Sequence, residues 1–193
     1  MTNKKQKHEH EHKHTKNCGC GHKHKEEHVH DENCDCGHEH EHNFGVGYYL
    51  SPIGFIEVKT DFNFVTSISF VNSEEKVVET EAVLDTIKQL DEYFKGIRKI
   101  LNLKLALQGT PFQRKVYISL LNIPYGKTMS YKDIAAMVKD PKAARAVGSA
   151  NNKNNILIAI PCHRVTRKDG KLSGTKEWQQ KQQWLINFEK SNS

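Results

Sequence analysis

The chain changes character at residue 43, and that break decides where a fold can form. Residues 1–43 hold 11 of the 12 histidines and four of the five cysteines, with 7 Lys against 9 acidic side chains. Hydrophobic residues make up 36% of the chain, and the deficit is concentrated in this first segment. Such a stretch cannot bury enough apolar surface to offset the entropy of ordering. Residues 1–43 are therefore expected to be a disordered tail, with the fold confined to the rest. From residue 44 onward there are 22 Lys and Arg against 14 acidic residues, a net charge of +8. A basic folded part suits a polyanionic partner, with nucleic acid the first candidate.

The tail contains a repeat. Asn17-Cys18-Gly19-Cys20-Gly21-His22-Lys23-His24 recurs sixteen residues later as Asn33-Cys34-Asp35-Cys36-Gly37-His38-Glu39-His40. Cys18, Cys20, His22 and His24, and then Cys34, Cys36, His38 and His40, offer thiols and imidazoles suited to zinc, nickel or copper. The Cys-X-Cys spacing and the lack of apolar neighbours describe a loosely selective chelator, not a folded finger. The chain has no apolar run long enough for a transmembrane helix and no secretory h-region. Free thiols fit a reducing compartment. The expectation is a cytoplasmic protein that does not engage a membrane.

After Asn43, the segments Val46–Leu50, Ile53–Lys59 and Asn63–Val71 are rich in β-branched and aromatic residues and read as an antiparallel meander. Val77 to Phe94 has helical spacing and stops before Gly96. Ile97 to Gly109 alternates leucines and reads as a connector or edge strand. These elements make residues 44–109 a small α/β domain of mainly structural role. Residues 110–193 form a second, mainly helical domain. Thr110-Pro111 opens a helix, Ser130 and Asp133 bracket the start of a short one, and Asp140-Pro141 opens another from Lys142 to about Asn151. Two short helices joined by a tight turn are the layout of a helix-turn-helix. The second is built from small residues around one cation, Ala143-Ala144-Arg145-Ala146-Val147-Gly148-Ser149-Ala150. That composition suits close approach to a surface, and equally a packed helix with a structural Arg145 ion pair. Residues 127–153 hold six Lys and Arg against two Asp, which favours phosphate contact.

The chemistry concentrates in Pro161-Cys162-His163-Arg164-Val165. Cys162 is the one cysteine beyond residue 43, an apolar run from Ile156 to Ile160 leads into it, and a histidine and an arginine follow. A thiol becomes a nucleophile when a proton acceptor or positive charge stands beside it.

This pentapeptide, downstream of Gly109-Thr110-Pro111-Phe112-Gln113, Ile123-Pro124-Tyr125-Gly126, Ser130-Tyr131 and Lys142-Ala143-Ala144-Arg145-Ala146-Val147-Gly148, resembles the O6-alkylguanine-DNA alkyltransferase family. The resemblance spans about residues 46–190 and is strongest over 109–165. It implies a ribonuclease H-like N-terminal domain, and a monomer that acts on double-stranded DNA without a cofactor. The alkyl group of O6-alkylguanine, and of O4-alkylthymine, would pass irreversibly to Cys162, once per molecule. By the same resemblance His163 is the base acting through a water, Glu189 orients it, and Asn154 braces the turn before the active-site segment. Tyr131 and Arg145 extrude the nucleotide and fill its place, with Ala143, Ala144, Ala146, Gly148 and Ser149 lying in the minor groove. Tyr131, Val165, Thr175 and Lys176 line the alkylguanine pocket.

Two positions depart from the family pattern. Asn155 follows Asn154 where the family usually carries proline, and the family's Gly-Tyr-X-Gly-Gly loop is here Gly174-Thr175-Lys176-Glu177-Trp178. Read from the residues alone, Thr175 caps the C-terminal helix, with Trp178, Trp184, Leu185 and Phe188 packing it on the core. Two other functions fit parts of the sequence: a lesion-binding protein that transfers nothing, and a metal-handling protein that works through its tail.

Overall fold

A computed structural model describes residues 44–193; the Cys/His repeats, and with them the proposed metal ligands, lie outside the described residues. The described chain is mixed α/β. Three strands, β1 (Phe44–Ser51), β2 (Gly54–Asp61) and β3 (Phe64–Val71), form an antiparallel meander in the order β1-β2-β3. Ile56, Val58 and Thr60 of β2 alternate inward, as a half-buried strand requires. Val65 and Ile68 of β3 are also both buried although three residues apart. A register shift opposite Lys59/Thr60 makes that possible. The extra residue, Thr66, resets the parity, and its hydroxyl donates to the Lys59 carbonyl at 3.1 Å.

Helix α1 (Glu81–Phe94) crosses the sheet. It begins four residues later than its apolar spacing suggests. The Thr80 hydroxyl accepts from the Val83 amide, and Val78 is held extended by paired backbone bonds to Val46 at 2.8 and 2.9 Å. A cap and a strand edge therefore outcompete helical periodicity at 77–80. Gly45 and Gly47 let α1 approach β1 closely: a Cβ on Gly47 would lie 2.4 Å from Val83 Cγ1 and 2.9 Å from Ile87 Cδ1. Gly47→Ala is expected to lower stability by about 1–3 kcal/mol through overpacking, measured by denaturant unfolding.

The segment after Gly96 (φ +73°) adds to the outer edge of β3, where the Val65 amide donates to Lys104 O at 2.7 Å and Ala106 to Val65 O at 2.9 Å. Further along the same edge, Ile68 exchanges backbone bonds with Asn155 O (2.8 Å) and Leu157 N (2.9 Å). Asn155 itself donates to Thr66 O at 2.9 Å. The asparagine that stands in place of proline thus ties the segment before Cys162 to the sheet.

Helix α2 (Pro111–Leu121) opens with a capping box between Thr110 and Gln113, and α3 (Tyr131–Met137) with one between Ser130 and Asp133. Helix α4 runs Ala144–Asn152. It begins two residues later than its Asp-Pro signal suggests, because 140–143 form a turn in which the Ala143 amide bonds Asp140 O at 3.0 Å. The two-residue strands β4 (Met129–Ser130) and β5 (Val165–Thr166) pair in parallel. Helix α5 (Lys176–Ser191) is capped by Thr175. Trp184 stacks on Phe188 at 5.0 Å and meets Phe94 of α1 at 6.0 Å, so α5 packs directly against α1. One continuous apolar core joins residues on both sides of Gly109. Among the described residues no helix is long and apolar enough to cross a membrane, and no group of three or more His, Cys, Asp or Glu is placed to hold a metal ion.

Candidate active site

Cys162 opens a short 3-10 turn, Cys162–Arg164, reached through two tight reversals. Ile158 sits at φ +70°, and the Ala159 amide closes on Leu157 O at 2.8 Å. Pro161 (φ −78°, ψ 62°) forms an inverse γ-turn, with the Cys162 amide on Ile160 O at 2.7 Å. A β-branched residue at positive φ costs about 1–3 kcal/mol and persists only where its surroundings fix it. Asn154 does much of the fixing. Its amide donates to Ile160 O at 3.0 Å and its carbonyl accepts from the Ile156 amide at 3.1 Å, clamping both ends of the loop.

The thiol of Cys162 is 2% exposed. Burial pushes its pKa up to about 11, against the opposing pull of the Asn154 amide and the backbone N–H groups of Cys162 and His163. At neutral pH it is a protonated thiol, so a nucleophile forms only when a neighbour takes its proton. His163 is fully buried, with Nε2 2.8 Å from Glu189 Oε1. Glu189 is also fully buried and saturated with donors. Oε1 accepts from Tyr93 Oη (2.7 Å), His163 Nε2 (2.8 Å) and Arg164 Nη2 (2.9 Å); Oε2 accepts from Arg164 Nε (2.8 Å) and Gly126 N (3.1 Å).

Burial opposes ionisation of Glu189, but the hydrogen bonds and charges around it outweigh burial and hold its carboxyl well below the usual range. Burial likewise pushes His163 down, and the Arg164 guanidinium adds to that, more than Glu189 pulls it up. The ion pair is therefore Arg164–Glu189, and His163 is a neutral ring that donates from Nε2. In that tautomer Nδ1 carries a lone pair, and Nδ1 is buried with no protein partner. A fixed base with an open acceptor nitrogen thus follows the buried thiol directly in the chain.

Cys162, His163, Glu189 and Asn154 thus come together in the structure. Sequence reasoning missed Tyr93 and the Gly126 amide, and it saw Arg164 only as a nearby cation. Tyr93 carries no distinguishing signal, because at helical spacing on α1 it reads as core.

A cleft of about 540 Å³ has a lining that includes Tyr131, Lys132, Arg145, Gly148, Arg167 and Lys168, and neither an acidic residue nor any of Cys162, His163, Glu189 and Asn154. Ala144 also lines it, and the Tyr131 ring stands at ordinary contact distance, 3.8 Å, from where a Cβ on Gly148 would lie. Ala146 and Ser149 are exposed on α4, and Ala143 is half-buried at its start. Ser173 and Gly174 form the far rim, whereas Thr175 and Lys176 do not line the cleft. The Thr175 hydroxyl is spent on the Trp178 amide at 3.3 Å, and Lys176 lies with Lys171 and Gln179 in a separate depression. Val165 is wholly buried, paired with Met129.

A family model described as 6-O-methylguanine DNA methyltransferase, DNA binding domain, matches residues 111–191. A methylated-DNA–protein-cysteine methyltransferase of Methanosarcina barkeri is 38% identical over 149 residues, 74% of this chain and 94% of that protein. A constitutive one of Bacillus subtilis is 52% identical over 103 residues, which span 53% of this chain and 61% of that protein. The crystal structure of Mycobacterium tuberculosis OGT in complex with DNA superimposes with a TM-score of 0.69 at 36% identity, covering 76% of this chain and 94% of that one. With a cysteine, histidine and glutamate so arranged and a relative 38% identical matched over 94% of its length, the chain belongs to the methylated-DNA–protein-cysteine methyltransferase family.

Proposed function

We propose that the protein repairs DNA by moving the alkyl group of O6-alkylguanine, methyl above all, onto its own Cys162. The observation that carries this reading is a buried Cys162 followed directly by a buried His163, whose Nε2 is held 2.8 Å from Glu189 while its Nδ1 has no protein partner. His163 takes the thiol proton through a water, and sulfur attacks the alkyl carbon. The carbon–oxygen bond breaks with its electron pair leaving on guanine O6, and the proton taken from the thiol passes from His163 to the departing guanine. The products are a thioether and an intact guanine. A thioether is not readily hydrolysed, and among the described residues no second thiol stands ready to take the alkyl on, so each molecule acts once.

In this reading α3 and α4 act as a helix-turn-helix laid in the minor groove, on a first domain, 44–109, of ribonuclease H-like type. Small residues of α4 allow close approach, Arg145 fills the space left by the extruded nucleotide, and Tyr131 holds the flipped base. Cations at the cleft rim meet phosphates, so affinity falls as salt rises.

Incubation with duplex DNA containing O6-methylguanine, followed by peptide mass mapping, is expected to place one methyl group on the Cys162 peptide. Binding without any mass gain would favour a lesion-binding protein instead. The Cys/His repeats of 1–43 are a separate proposal: zinc, nickel or copper should bind the full chain and not a chain lacking residues 1–43, with transfer the same in both.

A further inference from the structure

Glu189 does more than orient His163, because most of its hydrogen-bonding capacity is taken by others. Tyr93 reaches it from α1, in the half of the chain whose sequence shows no chemistry. Its hydroxyl meets the same oxygen as His163, at 2.7 and 2.8 Å. Both Tyr93 and Glu189 are buried, so neither contact is shared with solvent. Arg164 grips both carboxylate oxygens, and its guanidinium lies 5.6 Å from the centre of the Tyr125 ring. The charged or titratable groups facing His163 and its carboxylate are therefore Glu189 from α5, Arg164 and Cys162 from its own turn, Tyr93 from α1 and Tyr125 from the loop after α2.

We infer that Tyr93 is a positioning residue for alkyl transfer: its hydroxyl, together with Arg164, occupies Glu189 so that His163 remains a neutral imidazole with Nδ1 open to the Cys162 proton. A carboxylate whose charge is spent on a guanidinium and a phenol has little left to stabilise an imidazolium. Remove the phenol hydroxyl and Oε1 turns its negative potential on His163, which then protonates more easily and closes the acceptor. Tyr93 is suited to the task because burial and the neighbouring carboxylate push its own pKa up, so it stays a donor throughout the working range. The inference rests on reading Cys162 as the acceptor and His163 as its base.

The test is the pH dependence of single-turnover methyl transfer in the full chain, for the wild type and Tyr93→Phe. The wild-type rate should fall on the acid side at a pH below the imidazole's ordinary 6.5. In Tyr93→Phe that limb should move upward by about one pH unit, so the variant is slowed most in mild acid and approaches the wild type in mild alkali. A lesser packing defect would slow transfer equally at every pH. A limb that does not move in a folded variant overturns the inference. So does a wild-type limb at or above 6.5, a result that needs no variant at all. Absence of transfer in the wild type at any pH would instead overturn the assignment of Cys162 as acceptor.

Discussion

Cys162→Ala should abolish methyl transfer outright while leaving DNA affinity unchanged. The two results together separate the acceptor from the binding surface. The cleft that carries Tyr131, Arg145 and Arg167 does not include Cys162 in its lining, so removing the sulfur leaves its cations and shape in place. The fold should tolerate the change. The lost sulfur is small, and truncation of a well-packed group of that size costs about 1 kcal/mol. The thiol also predicts a pH effect on stability. Its pKa is raised from 9.0 to about 11 by burial, so the folded state holds the proton more tightly than the unfolded chain. That stabilisation is complete below pH 9.0 and is lost as pH rises through about 11. Wild type should therefore lose stability in this alkaline window relative to Cys162→Ala, measured by urea unfolding at a series of pH values. Retained transfer in Cys162→Ala, with methyl found on another residue, would refute the assignment of Cys162.

The sequence made the nucleophile legible because the chemistry of that step is local. Cys162, His163 and the apolar run before them are contiguous, and a cysteine with that neighbourhood is rare enough to stand out. The N-cap at Thr110 and the Ser130–Asp133 cap were legible for the same reason, as each is settled within four residues, although the Gln113 half of the Thr110 box was not read. Glu189 and Asn154 entered only through family resemblance, since nothing at either position marks it as part of a site 27 or 8 residues away. Tyr93 was illegible. Its role depends on α5 packing across α1, a long-range outcome of the Phe94, Trp184 and Phe188 cluster. The altered loop at 174–178 could be read from residue type alone only as far as its helix cap. Thr175 is a helix cap, as its residue type favours, and Lys176, the first residue of that helix, lines a different depression with Lys171 and Gln179. Helix starts near Val77 and Lys142 were misplaced because a strand edge and a turn competed for the same residues.

The largest loss of stability is expected from Glu189→Gln. This change keeps the side-chain shape and removes one charge. Arg164, 9% exposed at its side chain, would remain buried without its counter-ion. The amide would also turn an NH₂ toward donors, whichever way it is placed: Tyr93 and His163 at one oxygen position, Arg164 and Gly126 at the other. Breaking a buried pair by removing one partner costs about 3–5 kcal/mol, which lowers the thermal midpoint of a domain this size by roughly 10–15 °C. Transfer should fall as well, because His163 loses the acceptor that fixes its tautomer. The pH dependence distinguishes this loss from a general packing defect. The folded pKa of Glu189 lies far below its ordinary 4.5, so its stabilisation is present above pH 4.5 and is lost as pH falls toward the folded value. His163, lowered from 6.5, acts in the same direction, since the unfolded chain takes up its proton first. Wild type should therefore weaken progressively below about pH 6, and Glu189→Gln should show a shallower acid slope from a lower starting stability. Parallel acid profiles for the two proteins would mean that Glu189 is not the ionised centre of this network.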